Sequence, residues 1–411
     1  MEEVKTINRD NILYIILGVL SVFLMISKYI MLNVACVFAI LCFLIVFSKD
    51  KKWYFNGITY SFLAILFLNG VTGIVGILFP EFSAYTSLSA LFEEVARCII
   101  YIALAQILIY LKVNVKVYAW FWKTILFVTV FIVVCQYFQW FDMTEKLRDF
   151  YGDSKQFYNA QFSDLSKFRA GSVFVNPNVF ACFLVGFTGM YLSILPELNE
   201  NPVVKVIVTL VTMLGFVLCG SRTGFLLAVI LYLIYLFKMS GNSFSVFFGK
   251  VMFALFFIVL ALLLVPLVFE IDINEFFSSR LFQVFDGFGD SFAMKSELFS
   301  GLITRANPFN IFFGFGPYDY GVHSAMMVDF DFGYFFGYFG VLGVLVYLLL
   351  ITCIFKHEKS KKQSRKDLNF MFAAIFILFG FTAGIFFNLR IFCIYLLMFL
   401  PMLYKKEERV A

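Results

Sequence analysis

In this 411-residue chain hydrophobic types make up 62% and charged types 14%, and the mean hydropathy of +0.90 lies far outside the range of a soluble domain. The net charge of +5 sits in a few basic clusters between apolar segments, so it reads as a topology signal and a contact with anionic lipid, and nucleic-acid binding is not suggested. The eight cysteines all fall within or at the ends of apolar segments, which leaves neither a disulfide framework nor a metal cluster to be read from spacing.

Apolar segments of roughly 17 to 23 residues, each able to cross a hydrocarbon core of about 30 Å as a helix, are predicted near residues 12–28, 30–48, 57–79, 91–111, 119–140, 179–195, 203–219, 223–238, 249–269, 330–355, 369–387 and 390–404. They describe an all-α integral membrane protein of about twelve spans. The first span lacks a small-residue cleavage site and is followed at once by another, so it is expected to be retained as a signal anchor. Basic clusters at KDKK (49–52), Lys112 with Lys116, residues 238–250, KHEKSKKQSRK (356–366) and KKEER (405–409) occupy alternate connections. The positive-inside rule assigns these connections, and both termini, to the cytoplasm.

The same parity puts residues 80–90, a smaller loop at 141–178 and a large loop at 270–328 outside. The chain is then a single polytopic domain, 1–411, whose one sizeable polar segment is the large loop. That loop is acid-rich, with Glu270, Asp272, Glu275, Asp286, Asp290, Glu297 and Asp319. The 59 phenylalanines are explained by lipid contact and aromatic packing. Trp140, Phe141, Tyr151, Tyr158, Tyr318 and Tyr320 at the outer face suit either a glycan-stacking surface or an interfacial aromatic belt, and composition does not choose between them.

Three outer-side motifs carry the chemistry. RAGSVFVNPNVFA (169–181) contains Asn176-Pro177-Asn178, which reads as a helix start with asparagine capping, and places Arg169 just upstream. CGSRTG (219–224) joins two apolar segments with too few residues for a loop, so the chain turns sharply and holds Arg222 between the Ser221 and Thr223 hydroxyls. An arginine there either snorkels to lipid headgroups or binds an anionic group such as a lipid-linked pyrophosphate. The third motif, GFGPYDYGVHSAMMVDFDFGYFFGYFG (314–340), delivers His323 and Ser324 ahead of the tenth span. His323 is the one outer-face side chain able to exchange a proton near neutral pH without a large shift. Asp329-Phe330-Asp331 looks like a metal-holding DxD box, but carboxylates two helical positions apart point to different sides, and no metal site is expected.

In order and spacing the three motifs, with Arg280 in SSRL early in the large loop, resemble the O-antigen polymerase and O-antigen ligase superfamily over roughly residues 165–345. The resemblance implies a GT-C-like membrane glycosyltransferase on the outer face of the bacterial inner or plasma membrane, independent of metal or other cofactor. Its expected partners are undecaprenyl-pyrophosphate-linked glycans, membrane lipids and a chain-length regulator. It also implies that Arg222 and Arg280, with Arg169 nearby, hold the donor pyrophosphate and that His323 activates the acceptor hydroxyl. Ser221, Thr223, Asn176, Asn178, Ser324 and Arg305 are candidates for supporting roles.

Where ligases tend to show His-Asn followed by an acidic residue, this chain has His323-Ser324-Ala325-Met326. That departure favours polymerisation of repeat units into O-antigen or capsular polysaccharide over ligation of a finished glycan to a lipid or protein acceptor. A transporter of lipid-linked oligosaccharide is a third reading. It fits less well, because apart from Glu93, Glu94 and Arg97 near the outer start of the fourth segment the spans carry few charges.

Overall fold

The computed structural model describes residues 56–80, 85–108, 114–151, 169–174, 176–239, 248, 288–318, 330–356 and 363–403. Regular structure among these residues is helical: α1 (Gly57–Leu78), α2 (Leu88–Leu108), α3 (Val115–Tyr137), α4 (Met143–Tyr151), α5 (Pro177–Leu198), α6 (Pro202–Cys219), α7 (Arg222–Met239), α8 (Phe288–Arg305), α9 (Pro308–Phe313), α10 (Asp331–Lys356), α11 (Gln363–Thr382) and α12 (Leu389–Leu403). Five of them, α1, α3, α5, α6 and α10, are long and apolar enough to cross a membrane, and shorter apolar helices lie at Thr223–Phe237, Asn369–Thr382 and Leu389–Met402. The chain is a multi-pass membrane protein in its helical composition.

Nine of the expected spans fall on helices, while those at 12–28, 30–48 and 249–269 lie outside the described residues. The two segments that the sequence reads as outer loops carry more regular structure than a polar reading suggests. The smaller contains α4 and the larger contains α8 and α9. Asn307 and Asn310 start α9 with a reciprocal capping box, which satisfies two N-terminal N–H groups that hydropathy does not register.

Contacts divide the chain into two compact units, residues 115–292 and residues 1–114 with 293–411. In the first, α5 is the central helix, buried along nearly its whole length, while α3 and α6 each leave much of their apolar surface exposed. α3, α6 and α7 pack around it. At one end Lys123 of α3 pairs with Glu200, which also accepts the Tyr191 hydroxyl at 2.7 Å.

In the second unit α1 packs on α2 and α10, and α10 packs on α9 and α11. An aromatic core runs through it, with Tyr101 and Phe392 rings 4.3 Å apart and Phe372 stacked on Phe399 at 4.4 Å. In lipid such ring packing stands in for the missing hydrophobic drive between helices.

The glycine spacing of the third motif has a structural cause. α10 is broken at Gly340, whose φ is +63°. Next to the break the carbonyls of Gly337 and Tyr338 accept from a neighbouring segment, from Phe315 N–H at 2.8 Å and Gly316 N–H at 3.1 Å. Gly314 (φ +78°) permits the approach, because a Cβ there would lie 2.3 Å from backbone atoms of Tyr338 and Phe339. On its other side the segment is held by Thr86, whose hydroxyl donates to Phe315 O at 2.7 Å, and by Ser87 N–H, which donates to Pro317 O at 3.0 Å.

Candidate functional site

The first two motifs meet in one corner of the unit formed by residues 115–292. α6 ends at Cys219, Gly220 turns the chain in the left-handed region (φ 58°), and α7 begins at Arg222. Ser221 is 5% exposed, and its hydroxyl accepts from Gly224 N–H at 3.4 Å. Glycine at 224 is required by packing: a Cβ would lie 2.7 Å from the Ala181 Cβ of α5. The alanine closing NPNVFA and the glycine closing SRTG are therefore the two halves of one close helix crossing.

α5 starts as the dipeptide chemistry dictates. Asn176 is the N-cap, its side chain accepting from Asn178 N–H at 2.8 Å, and Pro177 takes the first helical position. Arg169 joins the two motifs. Its Nη2 donates to Asn178 Oδ1 at 2.7 Å and its Nε donates to the Cys219 carbonyl at 3.1 Å. The guanidinium thus caps the C-terminal, negative end of α6 beside the N-terminal, positive ends of α5 and α7.

The chain carrying Arg169 is more deeply set than an outer-face reading suggests. Ala170 and Ser172 are 0% exposed and Phe174 is 1% exposed. Ser172 takes a left-handed φ of 53°. That conformation is held by α3: Gln136 Oε1 accepts from Ser172 N–H at 2.7 Å, and the Ser172 hydroxyl donates to Thr129 O at 2.9 Å. Tyr151 of α4 completes the clasp by donating to Val173 O at 2.8 Å.

Of the candidates, Arg169, Asn176, Asn178, Ser221 and Thr223 come together here, with the Arg222 backbone at the first position of α7. The Arg222 side chain, Arg280, His323 and Ser324 lie outside the described residues, as do Tyr158 and Tyr320. Arg305 is exposed in the last turn of α8, in the other unit, where a cation complements the helix dipole. Tyr318, from which the chain leaves toward His323, is 1% exposed with its ring 4.8 Å from Tyr338. Asp331, where the chain returns, is 0% exposed; it accepts from Phe386 N–H at 2.9 Å and from the Tyr347 hydroxyl at 3.1 Å. Its carboxylate is thus a clamp on the α11–α12 turn.

Sequence reasoning passes over Gln136 entirely, and it gives Glu94 and Arg97 no role. Glu94, 3% exposed, pairs with Arg97 at 2.5 Å and accepts the Tyr334 hydroxyl at 2.5 Å. The signal that could have found them is the same in each case, a polar side chain inside an apolar span. No protein-family model and no curated protein matches the chain.

Proposed function

We propose that this chain is a GT-C-like membrane glycosyltransferase of about twelve spans, both termini cytoplasmic, on the outer face of the bacterial inner or plasma membrane. It would polymerise undecaprenyl-pyrophosphate-linked repeat units into O-antigen or capsular polysaccharide. The observation that carries the reading is the Ala181–Gly224 crossing, which sets the first turns of α5 and α7 side by side with the arginine of SRTG at one of them. Two adjacent helix N-termini favour an anion, and the competing negative end of α6 is covered by Arg169. A pyrophosphate is the anion that the resemblance supplies.

In the proposed step Arg222 and Arg280 neutralise the charge growing on the departing pyrophosphate while His323 receives the proton of the acceptor hydroxyl. The hydroxyl oxygen bonds to the anomeric carbon of the growing glycan, the bond from that carbon to the pyrophosphate breaks, and undecaprenyl pyrophosphate leaves. The test is His323→Ala and Arg222→Ala in a strain that makes surface polysaccharide, read by the banding of extracted glycan. Accumulation of single repeats supports the proposal. Polymer made but unattached to its acceptor would assign ligation, and repeats trapped inside the cell would assign transport; either overturns it.

A further inference from the structure

α3 has 23 residues and is about 34 Å long at 1.5 Å per residue, slightly more than a hydrocarbon core of about 30 Å. Val117, Trp120, Phe127, Val128 and Phe131 form an exposed apolar stripe along it, the face of a span turned to lipid. Residues 138–142 follow at the end of that stripe, immediately after a helix whose length matches the hydrocarbon core.

The chain there is unusual. Gln139, Phe141 and Asp142 have φ values of 55°, 58° and 52°, a region that residues other than glycine rarely adopt. This backbone leaves Trp140 44% and Phe141 66% exposed, and Phe150 on the next helix is 52% exposed. α4 itself has Met143, Leu147, Phe150 and Tyr151 on one side and Glu145, Lys146, Arg148 and Asp149 around the other.

We propose that residues 139–151 form an in-plane element of the membrane surface, with Trp140, Phe141 and Phe150 seated at the boundary between acyl chains and headgroups. The partner is lipid and not glycan. Continuity with the lipid-facing stripe of α3, the preference of tryptophan for that boundary and the amphipathic pattern of α4 all point the same way. The element has a second role through two hydrogen bonds, Thr144 to Gln136 O at 3.4 Å and Tyr151 to Val173 O at 2.8 Å. The first bond ties α4 to α3, and the second fixes the Arg169-bearing segment to this element. The element belongs to the membrane-facing side of this unit, and its assignment does not rest on the glycosyltransferase reading.

The test compares the full chain with Trp140→Phe, both in phosphatidylcholine vesicles carrying bromine either near the headgroup end or near the methyl end of the acyl chain. The fluorescence difference between the two proteins isolates Trp140. Stronger quenching by bromine at the headgroup end, with little quenching by aqueous iodide, is expected. Quenching by iodide alone would overturn the proposal, and so would iodide quenching relieved by an added soluble oligosaccharide, which would assign the aromatics to glycan stacking. A second measurement addresses the link to Arg169. Tyr151→Phe removes one hydrogen bond and should speed amide exchange in residues 170–174 by about fivefold, with the Trp140 signal unchanged. Unchanged exchange would overturn the linkage.

Discussion

Gly314→Ala probes the glycine-rich third motif, and its cost can be built from the structure. With φ +78° and ψ −176° position 314 lies in a region that is essentially reserved for glycine, and another residue there is strained by about 1–3 kcal/mol. The added methyl would stand 2.3 Å from Phe339 N and from the Tyr338 carbonyl. These are backbone atoms, so no side-chain rotation relieves the collision and the extended segment must withdraw. Withdrawal breaks the bonds from Phe315 N–H to Gly337 O and from Gly316 N–H to Tyr338 O. Each of these bonds contributes about 0.5–1.5 kcal/mol net. The sum is on the order of 2–6 kcal/mol, a large share of the roughly 5–15 kcal/mol by which folded proteins are stable. The assay is thermal unfolding in detergent, read as the midpoint of the folded fraction after size exclusion. Gly301→Ala is the internal control, because a Cβ at this helical glycine of α8 meets nothing within 4 Å, and it should gain about 0.5–1 kcal/mol. If Gly314→Ala unfolded at the same temperature as Gly301→Ala, the account of Gly314 as the close approach that lets residues 315 and 316 bond to α10 would be refuted.

Two further outcomes follow from the corner. Gly224→Ala should destabilise by about 1–3 kcal/mol through overpacking against Ala181, and combining it with Ala181→Gly should restore at least half of that loss; unfolding midpoints of the two single variants and the double variant check the coupling. Gln136→Leu keeps the volume but leaves the buried Ser172 N–H without its acceptor, so the midpoint should fall by the equivalent of about 1–3 kcal/mol, and hydrogen exchange should place the loosening in residues 169–174. A loss spread evenly over α3 would count against Gln136 as the clasp of that segment.

How much of this fold is legible in the chain depends on the scale of the physics involved. Apolar helices are legible because about 20 consecutive apolar residues leave a chain in lipid little choice but helix, and nine of the expected segments fall on helices, five of them long and apolar enough to cross a membrane. The corner is legible too: Gly220 supplies the left-handed turn, and Asn176 with Pro177 starts α5 as their local chemistry requires. What sequence does not carry is which orphaned polar group finds which distant partner. The α9 start is the exception, a local pair in which Asn307 and Asn310 satisfy each other three residues apart, inside a segment that hydropathy reads as loop. Asp331 looks like part of a metal box and instead clamps Phe386 N–H, 55 residues away.

The same limitation explains Arg169, whose role is not legible from its neighbours in sequence. Its partners, Asn178 and the Cys219 carbonyl, lie nine and 50 residues away, and only the fold shows that this cation is engaged in holding two motifs together. A guanidinium with two fixed acceptors is less able to follow a moving ligand than one at a flexible loop. Arg169 therefore sets the geometry of the corner, and in the proposed reaction the contact with the ligand falls to Arg222 and Arg280. Arg169→Lys keeps the charge but cannot reproduce the two-point fork, so it is the substitution in which these two roles come apart. The unfolding midpoint in detergent should fall by the equivalent of about 1–3 kcal/mol as one acceptor loses its donor. An unchanged midpoint would show that charge alone, without the fork, holds the corner.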